Sequence, residues 1–477
     1  GHVPMIPWPL LGILGICHIL PFFLKTSITS MVHAWPVSYG LHAVDAMDFD
    51  TPTPADILDR LNRIRPFPAQ EKPRGTPNGR NIVLIVGEST HTKYLSIYGS
   101  PFQTQPRLER YRSRMRIFTQ IYCSIPSSEQ ADFSIYSGLH AAIESIGSLN
   151  PFIACPSLSA ILKRYGYKTS YFYSGDKSYR RFGSYMALQG FDLIHDMHTL
   201  PTRMKYPSNS WGVSERATLE SILERIREHK RNGERFYLVY KPVTPHHPFT
   251  SIEPEFAKYH FTYEEALKGD TVKHPYLNQL LFMDAIYGEI VDTLEKEGLL
   301  SDTIVALVGD HGEALRDGKD DFVGHGFSTH PELMNVCCLF VEPGRQEPEY
   351  VHSLGSQVDI LPTILDMAQI PVPDGEWYQG SSLLREARPR REFMFSMEEE
   401  AASVQPGIYD RIRGNRIERY DVRVASEGTH VVFGSPRDLP NTPEIRALIG
   451  EAHELKKLQR RFLVNYASIR ENGKIRR

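Results

Sequence analysis

The chain has 477 residues and a formal net charge of −3 at pH 7, with 54 Lys and Arg against 57 Asp and Glu. This near-neutral balance, without any block rich in Lys or Arg, argues against a nucleic-acid-binding protein. The five cysteines show no CxxC spacing, which argues against a thiolate zinc site and a dense disulfide framework. A single Cys123–Cys155 bridge stays open. The length suits one large α/β domain with appendages, or two domains.

The N-terminal residues differ from the rest in composition. Residues 5–24 carry no formal charge and are long enough to span a bilayer. Pro7, Pro9, Pro21 and His18 leave a signal-like segment, an interfacial helix or a buried hairpin as alternatives. We expect residues 1–50 to form a membrane-proximal anchor segment. Residues 51–80, rich in Pro and Arg, are expected to form a short helix and a linker.

From residue 81 onward, apolar strand patterns alternate with helical patterns. Strands are predicted at 82–86, 169–173, 236–240, 304–308 and 336–341, and helices at 156–165, 213–229 and 276–297. Such alternation predicts an α/β fold: a doubly wound, mostly parallel sheet with helices on both faces. Short strands and a charged helix at 442–466 then predict a small strand-and-helix extension. We therefore expect a catalytic domain at 81–385, completed by an extension at 386–477.

Two of the predicted strands end in the same way, in Gly followed by a carboxylate. Glu88 follows IVLIVG, and Asp310 with His311 follows IVALVG. Adjacent parallel strands would bring these residues to one edge of the sheet, where α/β proteins place ligands. Carboxylates beside an imidazole suit Zn²⁺ or Mn²⁺. The alternative is that the acidic residues serve only the turns and caps that follow the strands.

A Ser-rich loop and a set of histidines add further candidates. The segment 123–139 passes Pro126 and enters a predicted helix at Ser128, where backbone N–H groups favour an oxyanion or phosphate. A plain helix cap is the alternative. His246 and His247 follow the predicted strand 236–240, and His325 and His330 follow Asp310 along the chain. A single histidine is more often structural. Because these clusters each follow a predicted strand, we count them as candidate site residues.

In this order, the motifs resemble those of the alkaline phosphatase superfamily, in its sulfatase-like branch. They are NIVLIVGES, SSEQADFSIYSG, YFYSGDKSYRRF, PHHPF, GDHGE, GHG and SQVDILPTILD. Within the branch, the chain most resembles membrane-anchored phosphoethanolamine transferases and lipoteichoic-acid-synthase-like phosphoglycerol transferases. The resemblance implies one Zn²⁺ or Mn²⁺ ion, or two. Its ligands would be Glu88, Asp310, His311 and the oxygen of the nucleophile.

The resemblance also implies which serine is the nucleophile. The family keeps this residue nine positions before a Thr or Ser near the end of the following helix, and counting back from Ser137 gives Ser128. Ser127 and Ser124 rank behind it. Glu-Gln-Ala-Asp follows Ser128, so the Pro and Arg needed to make formylglycine are missing. Sulfate-ester hydrolysis is therefore not expected, whereas a serine alkoxide suits phosphoryl transfer.

By the same resemblance, His246 and His325 would contact substrate phosphate, act as acid and base, or help to hold a second metal. Further substrate contacts are expected from a set of polar side chains, namely Lys177, Arg180, His247 and His330. For Lys177 and Arg180, a solvated loop is an equally good interpretation. The chain lacks the Trp and Arg of the phosphoglycerol transferases near residues 179–182, and the paired cysteines of the phosphoethanolamine transferases. The head group is therefore left open.

The resulting hypothesis is a metal-dependent phosphotransferase. Ser128 would take a phosphoethanolamine or phosphoglycerol head group from a phospholipid donor and pass it to a glycan or lipid acceptor of the cell envelope. The expected location is the bacterial inner membrane, with the catalytic domain facing the periplasm or the outside. Two alternatives remain: a phosphodiesterase, phosphatase or sulfatase-like hydrolase of the same fold, and a non-catalytic sensor or scaffold. The sequence gives no indication of oligomeric state.

Overall fold

The computed structural model describes residues 79–141, 157–178, 182–249, 253–268, 271–316, 322–370, 378–385, 391–398 and 400–471. The predicted anchor segment and the predicted linker up to residue 78 lie outside the described residues, as do Cys155 and Arg180. Among the helices that are described, none is both long enough and apolar enough to cross a membrane.

A nine-stranded sheet forms the centre of the catalytic domain. Its strands are β1 (Asn81–Gly87), β2 (Met115–Tyr122), β3 (Lys168–Tyr173), β4 (Leu193–His195), β5 (Phe236–Lys241), β6 (Thr303–Gly309), β9 (Asn335–Val341), β10 (Glu349–Val351) and β11 (Gly355–Ser356). They lie in the order β10-β2-β9-β6-β1-β5-β3-β4, and β11 also pairs with β2. The sheet is parallel except at β9, which runs antiparallel to both β2 and β6. A two-stranded ribbon, β7 (Ala314–Leu315) with β8 (Val323–Gly324), follows the end of β6.

Helices cover the central sheet. They are α1 (Ser128–Ser137), α2 (Leu158–Arg164), α3 (Phe182–Leu188), α4 (Glu215–Asn232), α5 (Tyr263–Leu267), α6 (Lys273–Lys296), α7 (Pro331–Met334) and α8 (Ile360–Met367). The side chains of β1 alternate between the two faces of the sheet. Val83 and Ile85 join Ile222 of α4 and Ile286 of α6 in one buried cluster. The predicted α/β class with a mostly parallel sheet is confirmed.

The pairing of β1 with β6 sets the position of the site. The two strands are fully buried and pair in parallel, from Asn81 opposite Thr303 to Gly87 opposite Gly309. Continuous apolar runs such as these are typical of strands buried on both faces. Because the register is matched to the last residue, Glu88 and Asp310 leave the sheet side by side.

The C-terminal extension forms a second, antiparallel sheet and a long helix. The sheet contains β12 (Glu392–Phe395), β13 (Ala401–Gln405), β14 (Ile408–Arg413), β15 (Arg416–Val424), β16 (Val431–Phe433) and β17 (Arg437–Asp438), and α9 (Pro443–Glu471) follows. Backbone N–H groups of the extension donate to two loops of the catalytic domain, from Phe395 N to Ser124 O (2.9 Å) and from Met397 N to Gly326 O (2.7 Å). The extension thus supports the loops that lead to Ser128 and His325.

Asp284 of α6 gives a test of the packing that is independent of the candidate site. Its carboxylate is buried and accepts hydrogen bonds from Arg107 N (2.7 Å) and Leu108 N (3.0 Å). Burial nevertheless raises the pKa of Asp284 to about 7. In the folded state this carboxyl therefore keeps its proton at pH values where the unfolded chain has lost it, so its contribution to stability falls between about pH 4 and pH 7.

We expect Asp284→Asn to remove this pH-dependent cost. The free energy of unfolding of the variant, minus that of the wild type, should rise by roughly 2–4 kcal/mol between pH 4 and pH 7.5. Urea denaturation at several pH values measures the difference, and changes at other titrating groups cancel. A difference that stays constant over this range would show that Asp284 does not titrate as its burial indicates.

Candidate active site

Four strands deliver polar side chains to one edge of the central sheet. Glu88 follows β1, the loop to Ser128 follows β2, Lys241 ends β5, and Asp310 with His311 follows β6. All four strands run in the same direction, so their carboxyl ends meet at this edge. Such an edge is where open α/β sheets place ligands.

The turn after β6 fixes Asp310 through one of its two oxygens. Asp310 Oδ1 accepts from Ser89 N (2.8 Å) and from His311 N (2.6 Å). Gly312 is required next, because a Cβ there would overlap the carbonyl oxygen of Glu332. With Oδ1 saturated by N–H donors, Oδ2 is the oxygen that remains to face a cation.

Ser89 has a strained backbone that is held by hydrogen bonds. Its φ is +48°, a left-handed value that is uncommon for a residue other than Gly. Besides its N–H bond to Asp310, its carbonyl oxygen accepts from Tyr276 Oη (2.7 Å). Such strain persists only where the surroundings fix the conformation, and it is concentrated at functional sites. Here it turns the chain so that Glu88 faces Ser128.

Ser128, the first residue of α1, lies against two of the predicted metal ligands. Its Oγ is 3.2 Å from Glu88 Oε2 and 3.2 Å from His311 Nε2. Ser124, the rival serine, has its Oγ 3.3 Å from His140 Nδ1 instead. The structure thus brings Ser128 to the predicted ligands, and its place at a helix N-terminus adds N–H groups suited to a phosphoryl oxygen.

The donor atoms fit a transition metal. His311 Nε2 is 3.5 Å from Asp310 Oδ2 and 3.6 Å from Glu88 Oε1, and Ser128 Oγ is 3.4 Å from Glu88 Oε1. In a tetrahedral site with bonds of about 2.1 Å, neighbouring donors are about 3.4 Å apart. Two carboxylates, an imidazole and a hydroxyl are suitable for Zn²⁺ or Mn²⁺. The residues present therefore fit the predicted ion.

Hydrogen bonds and charge prepare these ligands. His311 Nδ1 donates to Gly312 O (2.8 Å), which leaves the lone pair of Nε2 for a metal. Burial lowers the pKa of His311, so the imidazole stays neutral. Burial alone would raise the pKa of Glu88, but the Lys241 ammonium outweighs it and holds that pKa well below its ordinary range. Both side chains are thus in the protonation state that metal binding requires.

His325 and His246 lie next to this ligand set. The ring of His325 is 4.0 Å from that of His311 and 5.2 Å from that of His246. His325 Nδ1 is 2.8 Å from Glu313 Oε2. Burial opposes the charged form of His325, but the Glu313 carboxylate outweighs it and raises the pKa of His325. His246 Nδ1 donates to His247 O (2.6 Å), which orients its ring.

Several residues at the site were missed by the sequence analysis. Lys241 Nζ is 2.5 Å from Asp310 Oδ2, and Asp132 Oδ1 is 3.8 Å from the same nitrogen. Burial raises the pKa of Asp132 to about 8, although Lys241 opposes the shift. Glu313 belongs to the same GDHGE motif as Asp310, so its position in the sequence was the available signal. Lys241 gave only the weak signal of a charged residue at the end of a buried strand.

Two buried polar residues hold the loops of the site in place. Gln357 Nε2 donates to Gly309 O (3.0 Å) and to Asp310 O (2.6 Å), and it lies within the quoted motif SQVDILPTILD. Glu215 of α4 accepts from Val243 N and Thr244 N, both at 2.9 Å, and so holds the loop that carries His246.

An exposed aromatic side chain borders the site. The Trp211 ring lies 4.6 Å from the ring of His246, and 41% of the residue is exposed. Asn209 Oδ1 accepts from Trp211 N (2.8 Å) and Gly212 N (3.1 Å), which fixes the turn. The sequence carried no signal that this Trp would meet the PHHPF loop.

The remaining predicted substrate contacts lie in different surroundings. Lys177 is half-buried, with Nζ 3.4 Å from Asp196 Oδ1, and His247 is exposed on the loop of His246. His330 pairs with Glu332 and packs against Tyr420 of the C-terminal sheet. We therefore assign His330 to packing between the two sheets. Arg180 lies outside the described residues.

A comparison with known families decides the classification. The sulfatase family model matches residues 80–370, which is more than half of the chain. The chain belongs to the sulfatase family. Enzymes of the wider alkaline phosphatase superfamily are metal-dependent, in agreement with the candidate ligand groups found here.

Relatives by sequence include both transferases and sulfatases of this family. A lipoteichoic acid synthase-like protein of Bacillus subtilis is 23% identical over 65% of this chain and 50% of its own length. Phosphoglycerol transferase I of Xanthomonas campestris is 28% identical over 61% of this chain and 41% of its own. Arylsulfatase K of Bos taurus is 22% identical over 69% of each. The matches to the two bacterial relatives thus span half or less of those proteins.

Solved structures show the same fold. The lipoteichoic acid synthase LtaP of Listeria monocytogenes superposes with a TM-score of 0.65 at 16% identity, covering 86% of this chain and 98% of that one. A phosphonate monoester hydrolase of Silicibacter pomeroyi gives 0.57 at 13% identity, covering 80% and 95%. Both comparisons confirm the predicted alkaline phosphatase/sulfatase-like architecture.

We expect His311→Ala to weaken Zn²⁺ binding by roughly 100-fold or more, since substitution of residues that merely orient ligands costs about 10–100-fold. The contacts of Lys241 with the carboxylates are left intact by this change. His330→Ala is the matched control and should keep the wild-type metal content. Elemental analysis and competition titration measure both proteins, and equal metal binding by the two variants would contradict the ligand assignment.

Proposed function

We propose that the protein is a metal-dependent phosphotransferase that works through a covalent phosphoserine ester. One observation carries the proposal: Ser128 Oγ lies 3.2 Å from both Glu88 Oε2 and His311 Nε2, at the N-terminus of α1. A serine in contact with a metal-ligand set and a helix N-terminus is equipped to attack phosphorus. The donor is a phospholipid whose head group is phosphoethanolamine or phosphoglycerol, and the acceptor is an envelope glycan or lipid.

Glu88, Asp310, His311 and Ser128 would hold the ion. When bound, Zn²⁺ or Mn²⁺ lowers the pKa of the serine hydroxyl and offsets negative charge on the phosphoryl oxygens. In the first step, Ser128 gives up its proton to solvent and Oγ forms a bond to phosphorus. The bond between phosphorus and the diacylglycerol oxygen breaks. His325, kept charged by Glu313, protonates the leaving oxygen from Nε2.

The second step reverses these roles. An acceptor hydroxyl gives its proton to the now neutral His325, and its oxygen forms a bond to phosphorus. The bond from phosphorus to Ser128 Oγ breaks, and Oγ takes up a proton from solvent, which regenerates the serine. In this proposal His246, which contacts His247 O and the Trp211 ring, orients the phosphoryl group, and the exposed indole offers an apolar wall to the substrate.

Location at the bacterial inner membrane, with the site facing outward, follows from the same proposal. A lipid donor requires that the enzyme work at a membrane surface, and the uncharged residues 5–24 could provide an anchor. The similarity to a lipoteichoic acid synthase-like protein and to phosphoglycerol transferase I supports this interpretation.

Ser128→Ala should abolish the covalent adduct and lower turnover by roughly 1,000-fold or more, because the variant loses the hydroxyl that contacts both Glu88 and His311. Ser124→Ala is the control, since its hydroxyl lies against His140, and it should keep both adduct and turnover. Intact-protein mass spectrometry after brief exposure to lipid detects the adduct and gives the mass of the head group. Full turnover by the Ser128 variant would refute the mechanism.

Head-group transfer is separated from hydrolysis by following the label. Vesicles with head-group-labelled phosphatidylglycerol or phosphatidylethanolamine should accumulate diacylglycerol only when Ser128 is present, and the label should appear on an added glycan or glycolipid acceptor. Label released solely as free phosphoglycerol or phosphoethanolamine would indicate a phosphodiesterase of the same fold. A protein that binds metal but forms no adduct with either lipid would favour a non-catalytic role.

A further inference from the structure

Lys241 is a buried lysine with no role in the reaction described above. Only 2% of the residue is exposed. Its Nζ is 2.5 Å from Asp310 Oδ2, 3.1 Å from Glu88 Oε2 and 3.8 Å from Asp132 Oδ1. A buried ammonium is costly unless it is paired, and here two of its partners are the anionic members of the candidate metal-ligand set.

The ammonium contacts the oxygens that a metal ion would need. Asp310 Oδ1 is occupied by two backbone N–H groups, so Oδ2 is the oxygen that remains for a cation. Lys241 Nζ contacts that oxygen. Glu88 Oε2 is likewise shared between Lys241 Nζ (3.1 Å) and Ser128 Oγ (3.2 Å). Two cations bound to the same carboxylates, a few ångströms apart in a buried site, repel each other.

We propose that Lys241 is a positioning residue with two linked effects. It holds Glu88 and Asp310 in their ligand positions when no metal is bound, and it competes with the divalent ion for the same carboxylates. The inference rests on the metal site of the proposed function and adds a resident cation that sets how tightly this site binds metal.

Thermodynamic linkage gives these two effects a single signature. Without metal, a neutral residue at position 241 leaves two buried carboxylates without a cation, so the fold is weakened. With metal bound, the ion supplies the missing charge and the loss is smaller. Folding and metal binding form a thermodynamic cycle. The difference between the two losses of stability must therefore equal the gain in metal-binding free energy of the variant over the wild type. A lysine that served packing alone would give equal losses in both states.

The test compares Lys241→Met and Lys241→Gln with the wild type, each purified with Zn²⁺ and then measured after chelation or at saturating Zn²⁺. Calorimetric melting should show a larger fall in Tm for the chelated variants than for the loaded ones. Competition titration should show that both variants bind the first equivalent of Zn²⁺ at least tenfold more tightly. Lys163→Met is the control, because that lysine forms an ion pair with Asp192 at a half-exposed position and should shift both states equally.

Equal losses of Tm in the two states, or weaker binding of Zn²⁺ by both variants, would overturn the inference. Failure of both variants to fold even at saturating Zn²⁺ would also overturn it, because the ion would then be unable to replace the lysine. A wild-type protein that binds neither Zn²⁺ nor Mn²⁺ would instead contradict the proposed function itself, so the two failures are distinguishable.

Discussion

The parallel pairing of β1 with β6 is the constraint on which the rest of the site depends. Because Gly87 stands opposite Gly309, the next residue on each strand is a carboxylate, and the two leave the sheet as neighbours. Two buried carboxylates in that position repel each other unless cations lie between them. Lys241 and the candidate metal site both meet this one requirement. The fold therefore needs a cation at this position even before any substrate binds.

A second consequence of the same edge is that its loops must be held from outside the sheet. Strand ends deliver the residues, but loops have no ladder of their own to fix them. Gln357 ties the Asp310 turn through two carbonyl oxygens, and Glu215 ties the loop of His246 through two N–H groups. The antiparallel C-terminal sheet does the same for the loops of Ser124 and Gly326. The extension is thus part of the catalytic unit in a physical sense, since removing it would free two of the loops that lead to the site.

Sequence patterns predicted the strands whose apolar composition marks them. They did not predict features that depend on how strands pair or on contacts between distant residues. The apolar runs of β1, β5, β6 and β9 were recognised, because strands buried on both faces need such runs. β2 was missed: its polar Thr119 and Gln120 interrupt the pattern near a register shift in its pairing with β9. The reversed direction of β9 was also beyond reach, since composition does not encode strand direction. Lys241 and Asp132 were missed for a related reason, because their contacts join strands and helices that are distant in the sequence.

The choice between Ser124 and Ser128 shows how the levels of the argument combine. The two serines are four residues apart in the sequence, on either side of Pro126. Ser128 gains from position alone: as the first residue of α1 it lies where unpaired N–H groups and the positive end of the helix dipole converge. The register of β1 and β6 then places Glu88 and His311 at 3.2 Å from its hydroxyl, while Ser124 Oγ lies against His140. An attacking oxygen needs both a partner that stabilises its negative charge and donors for the phosphoryl oxygens, and helix position and strand register provide both to Ser128.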